Sequence, residues 1–121
     1  MNSNNSDKTD GVEILIVEDS LTQAEQLKHT LERHGYSVSH ARNGEEAIVW
    51  LRAHKPTLII SDINMPEMDG YQLCRRIRLD EKLRDLPVIL LTGLNDPEDV
   101  VRGLECGADN FITKPFEELY L

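Results

Sequence analysis

Five short apolar runs punctuate this chain, and the stretches between them carry apolar residues at helical spacing. Val12 to Val17, Tyr36 to Ala41, Thr57 to Ile60, Pro87 to Leu91 and Asn110 to Thr113 are too short for helices and are rich in β-branched residues or leucine. Each predicts a strand. Thr57-Leu58-Ile59-Ile60 and Val88-Ile89-Leu90-Leu91 are almost free of polar residues, as strands covered on both faces must be. Tyr36 to Ala41 alternates only weakly and predicts a shorter strand.

The intervening segments predict helices with recognisable ends. Ser20 with Gln23 reads as a capping box, Leu21, Ala24, Leu27 and Leu31 form one apolar face, and His34-Gly35 supplies the stop. Asn43 with Glu46 caps a second helix, with Ala47, Ile48 and Leu51 apolar and Lys55-Pro56 closing it. Tyr71, Leu73, Cys74 and Ile77 mark a third, ending in the charged turn Asp80 to Asp85. Asp96-Pro97 opens a fourth, whose expected buried side is Val100, Val101 and Leu104 and whose stop is Gly107. Strands alternating with helices at this spacing imply right-handed crossovers, hence an α/β fold: a five-stranded parallel sheet with helices on both faces.

The ends read differently. Residues 1–11 are polar and Asn/Ser-rich, lack an apolar signal core and predict a disordered leader, which leaves 12–121 as one domain. After Lys114-Pro115 only six residues remain, so a fifth helix starting near Glu117 is expected to be truncated, as in a domain cut from a longer protein.

Composition narrows the partners. A net charge of −9 argues against nucleic-acid binding by this domain, because phosphate-backbone affinity comes from Lys and Arg. No apolar run approaches the roughly 18 residues of a membrane span, so no membrane contact is expected. Cys74 and Cys106 read as buried, reduced thiols, which with the missing signal core predicts a cytoplasmic protein. His29, His34, His40 and His54 lack zinc spacing and read as surface or boundary residues away from the chemistry.

That chemistry lies where strands end. In a parallel sheet every carboxyl terminus falls on one edge, where open α/β sheets place their ligands. Glu18 and Asp19 follow the first strand, Asp62 the third, Thr92 the fourth and Lys114 the fifth. Clustered carboxylates repel unless a cation joins them, and hard oxygen ligands suit Mg2+. An ammonium and a hydroxyl beside them suit a phosphoryl group, with Asp62 as nucleophile forming an acyl phosphate. Pro66 and Asp69-Gly70 turn the chain sharply after Asp62.

Glu18-Asp19, Asp62 followed after two intervening residues by M-P-E-M-D-G, Thr92 and Lys114-Pro115 together resemble the receiver domain of two-component response regulators over about Val12 to Phe116. The resemblance implies a flavodoxin-like doubly wound sheet in strand order 2-1-3-4-5. It implies that Asp62 accepts phosphate from a histidine kinase or phosphotransfer protein. Mg2+ would be held by Asp19, Asp62 and the Asn64 backbone carbonyl, with Glu18 acting through water. Lys114 and Thr92 would contact the phosphoryl group, Thr92 and Phe111 would form the switch, and the Lys114-Pro115 bond would be cis. Slow self-dephosphorylation, a fused or separate output domain and homodimer formation are implied as well, for a signalling domain rather than an enzyme. The alternative is a receiver-like interaction module that works without phosphorylation. A dehalogenase-like phosphatase would need an aspartate where Asn64 stands.

Overall fold

The computed structural model describes residues 11–92 and 97–113, with side chains characterised over 11–92 and 101–112. The elements alternate as read: β1 (Glu13–Val17), α1 (Leu21–Arg33), β2 (Ser37–Ala41), α2 (Gly44–Leu51), β3 (Leu58–Asp62), α3 (Gly70–Leu79), β4 (Val88–Thr92), α4 (Pro97–Cys106) and β5 (Asn110–Thr113). All neighbouring strands pair in parallel, in the order β2-β1-β3-β4-β5. Residues 1–10 of the expected leader, the Lys114-Pro115 bond and the expected fifth helix lie outside the described residues.

Period-two alternation divides the sheet residues between two cores. Leu15, Val17, Ile59, Val88 and Leu90 pack with Ala47 and Leu51 of α2, with Leu73, Cys74 and Ile77 of α3, and with Cys106 of α4. Ile14, Ile16, Ile60 and Leu91 turn the other way, onto Leu27 and Leu31 of α1. Helices therefore cover both faces, and the central strands β1, β3 and β4 are buried nearly throughout.

Two helices depart from the expected phase. Leu21 is 61% exposed, and the buried stripe of α1 is Ala24, Leu27, Thr30 and Leu31; the Thr30 hydroxyl satisfies itself on the Gln26 carbonyl at 3.0 Å. In α4, Val101 and Leu104 point outward, while Gly103 and Cys106 face the core. The reason is Phe111, whose ring lies so close to Gly103 that only a hydrogen fits between them, so that side of α4 must face in. Val100 lies outside the residues with described side chains. The second helix also stops early, at Leu51 with Arg52 as its cap, before Lys55-Pro56 is reached.

Candidate functional site

β3 does not stop before Asp62 but runs through Ser61 and Asp62, both buried. Its register pairs Val17 with Ser61, which puts Glu18 level with Asp62 on the adjacent strand. On the other side Asp62 pairs with Leu91, and Thr92 follows at the end of β4. Thr92 in turn pairs with Thr113, the last residue of β5. Lys114, next in sequence, lies outside the described residues. Glu18, Asp19, Asp62 and Thr92 thus reach one edge from three adjacent strands.

Carboxylate oxygens of Glu18, Asp19 and Asp62 all lie within 4.8 Å of one another. Glu18 and Asp62 are 1% and 5% exposed, whereas Asp19 opens to solvent. Three hard oxygen donors at this separation, with one side open for water, fit Mg2+, and the group contains none of the His or Cys ligands that zinc favours. Asn64 is exposed two residues beyond Asp62, where its backbone carbonyl could join such a set.

Asp62 and Glu18 are each held by the backbone around them. Asp62 Oδ1 accepts the Ile63 N–H at 3.0 Å, and the Ser61 hydroxyl donates to the Asp62 carbonyl at 2.9 Å. Glu18 donates its N–H to the Ala41 carbonyl and accepts the Ser20 N–H on Oε2, each at 3.0 Å. That second bond explains why the capping box at Ser20 is only half formed. Ser20 Oγ accepts from Gln23 N at 3.3 Å, but the Ser20 N–H already belongs to Glu18, and Gln23 Oε1 is left buried with no partner. At α3 the reciprocal box is complete, between Asp69 and Gln72.

The loop after Asp62 closes on itself. Gly70 N–H donates to the Ile63 carbonyl at 2.8 Å, and a methyl group on Gly70 would strike the Asp62 carbonyl. Met68 N–H reaches the Pro66 carbonyl at 2.7 Å, with Glu67 between them in the left-handed region at φ 71°. Met68 is buried against Gly44, at the start of α2. Phe111 is half-buried against the core, its ring on Gly103.

One histidine differs from expectation. His40 does not stand away from this edge: its Nε2 lies 2.8 Å from the Glu18 carbonyl oxygen. The only sequence signal was its position next to the end of the second strand, and the β1–β2 register was needed to bring it to Glu18.

Residues 14–121 match the family model described as the response regulator receiver domain. The signal receiver domain of a signal transduction histidine kinase from Syntrophus aciditrophicus is 62% identical, with a TM-score of 0.84 over 90% of this chain and 83% of that one. The receiver domain of the sensor histidine kinase PA1611 from Pseudomonas aeruginosa PAO1, solved with a magnesium ion coordinated in its active site cleft, is 31% identical, with a TM-score of 0.83 over 91% and 90%. The transcriptional regulatory protein AfsQ1 of Streptomyces coelicolor is 42% identical over 104 residues, 86% of this chain but 45% of that regulator. The chain thus spans less than half of the length of that relative. With its 2-1-3-4-5 sheet and its carboxylates gathered at the strand ends, the chain belongs to the response regulator receiver domains of two-component systems.

Proposed function

We propose that the chain is a phosphoacceptor switch in which Asp62 takes a phosphoryl group from a phosphohistidine on a histidine kinase or phosphotransfer protein. A carboxylate oxygen of Asp62 attacks phosphorus in line with the imidazole, the P–N bond breaks, and the imidazole leaves with the electron pair. Asp19, Asp62 and the Asn64 carbonyl would hold Mg2+, with Glu18 acting through water. When bound, the ion offsets the negative charge of the incoming phosphoryl oxygens. Thr92 supplies a hydroxyl donor from the end of β4, and Lys114 an ammonium from the residue after β5. Thr92 and Phe111 carry the change of state to the α4–β5 side, where a fused or separate output domain reads it. The domain acts as a substrate with slow self-dephosphorylation rather than as a turnover enzyme, in the cytoplasm.

The observation that carries this reading is the meeting of the Glu18, Asp19 and Asp62 oxygens within 4.8 Å at the strand ends. Further support comes from the magnesium in the cleft of the PA1611 receiver. The 62% identity with a histidine kinase's receiver favours a phosphorelay inside a kinase as the setting. The test is intact-mass spectrometry after incubation with acetyl phosphate and Mg2+. One added phosphate is expected in the parent, none in Asp62→Asn, and little without Mg2+. Equal labelling of parent and Asp62→Asn overturns the assignment, as does an unlabelled parent.

A further inference from the structure

The β1–β2 ladder ends at the Val17–Ala41 pair, with one more bond from Glu18 N–H to the Ala41 carbonyl. In a regular parallel ladder the Glu18 carbonyl would next accept the N–H of residue 43. Asn43 is instead the N-cap of α2, in extended geometry with its side chain accepting Glu46 N–H. The chain therefore leaves the sheet one bond early, at a residue almost wholly buried. A carbonyl buried there needs a donor. The His40 ring reaches it, with Nε2 2.8 Å from the Glu18 oxygen. A carbonyl only accepts, so Nε2 must carry the proton.

This bond fixes more than one atom. The Glu18 carbonyl belongs to the planar peptide that ends on the Asp19 nitrogen, so its direction sets the course of the chain into Asp19. With the Glu18 N–H held by Ala41 and the carboxylate by Ser20, the His40 contact helps set where Glu18 and Asp19 present their oxygens. We infer that His40 is a positioning residue for the cation site, holding the Glu18–Asp19 peptide so that both carboxylates meet Asp62. The inference rests on the proposed Mg2+ role of these acids.

The test is Mg2+ affinity by isothermal titration calorimetry, without phosphodonor, on the parent chain, His40→Ala, His40→Gln and Arg78→Met. Gln keeps an N–H donor at nearly the position of Nε2, and Arg78 anchors loops at the opposite edge of the sheet. His40→Ala is expected to weaken Mg2+ binding at least threefold. His40→Gln should return to within twofold of the parent, and Arg78→Met should lose thermal stability without losing Mg2+ affinity. Unchanged affinity in His40→Ala, or equal weakening in Arg78→Met, overturns the inference and leaves the phosphoacceptor reading standing. A parent that binds no Mg2+ overturns both. Should His40→Ala fail to fold, NMR on the parent decides. The His40 ring nitrogens should report an Nε2–H tautomer and shift on Mg2+ addition with the same midpoint as the Asp19 amide, and resonances that stay fixed overturn the inference.

Discussion

Arg78 Nη2 lies 2.7 Å from Asp109 Oδ2, and the same oxygen accepts the Val88 N–H at 2.7 Å. Arg78 also donates to the carbonyls of Gly107, Arg84 and Leu86. One guanidinium thereby ties the end of α3, the loop into β4 and the turn into β5. The Asp109 side chain is 54% exposed, so water screens the ion pair itself, and the part-buried bonds to Gly107 and Leu86 carry most of the effect. Replacing Arg78 leaves those carbonyls without this donor. Arg78→Met is expected to lower unfolding free energy by about 2–3 kcal/mol, read by urea denaturation. A loss below about 0.5 kcal/mol, the size of an exposed pair, would show that the clasp is idle.

Gly103 supplies a test with a reversed sign. Alanine for glycine inside a helix normally stabilises by up to about 1 kcal/mol. Here the added methyl would overlap the Phe111 ring, so Gly103→Ala is expected to destabilise by about 1–3 kcal/mol. In a Phe111→Leu background the same substitution should become neutral or stabilising. Denaturant midpoints of the four proteins decide it, and a stabilised Gly103→Ala in the parent background would refute the packing.

Glu67 holds a left-handed backbone without being glycine. That conformation costs an L-residue roughly 1 kcal/mol, partly offset by the entropy glycine loses on folding. Glu67→Gly should therefore leave stability unchanged or raise it by up to about 0.5 kcal/mol. A clear loss on thermal melting would mean that the Glu67 side chain itself holds the loop.

Cys74 Sγ donates to the Cys106 carbonyl at 3.3 Å, and Cys106 Sγ to that of Gly103 at 3.0 Å. The Cys106 thiol beside it, and then burial, push the Cys74 thiol far above its ordinary range. The same contact draws Cys106 the other way, to about 7. An unfolded chain releases a thiol proton near pH 8.5. A raised folded pKa contributes stability in full below that point and loses it as pH rises, so Cys74 should make the fold weaken steadily above about pH 9. The Cys106 contribution grows only between about 7 and 8.5 and is constant beyond. Urea midpoints measured from pH 8 to 10 should fall in the parent and fall less in Cys74→Val. Parallel curves would contradict the shift.

What was legible in the sequence was whatever a strand or helix end declares locally. Ser20, Asn43, Gly35 and Gly107 do the capping and stopping their types suggest, and Asp62 and Thr92 fall at strand ends because apolar runs stop there. What was not legible depends on neighbours distant in the chain. Leu21, Val101 and Leu104 sit at helical spacing yet face outward, because the phase of α4 is set by the Phe111 ring against Gly103 and that of α1 by the stripe from Ala24 to Leu31. Gln23 looked like half of a capping box until Glu18 claimed the Ser20 N–H. His40 looked peripheral because its partner is 22 residues away.

The bond from Gly70 to the Ile63 carbonyl turns residues 63–70 into a closed ring, pressed against the Asp62 backbone where a methyl group would not fit. The first residue of α3 is thereby joined to the strand end that carries Asp62 by a direct bond as well as by the chain between them, so added bulk at position 70 would press on the aspartate's own backbone.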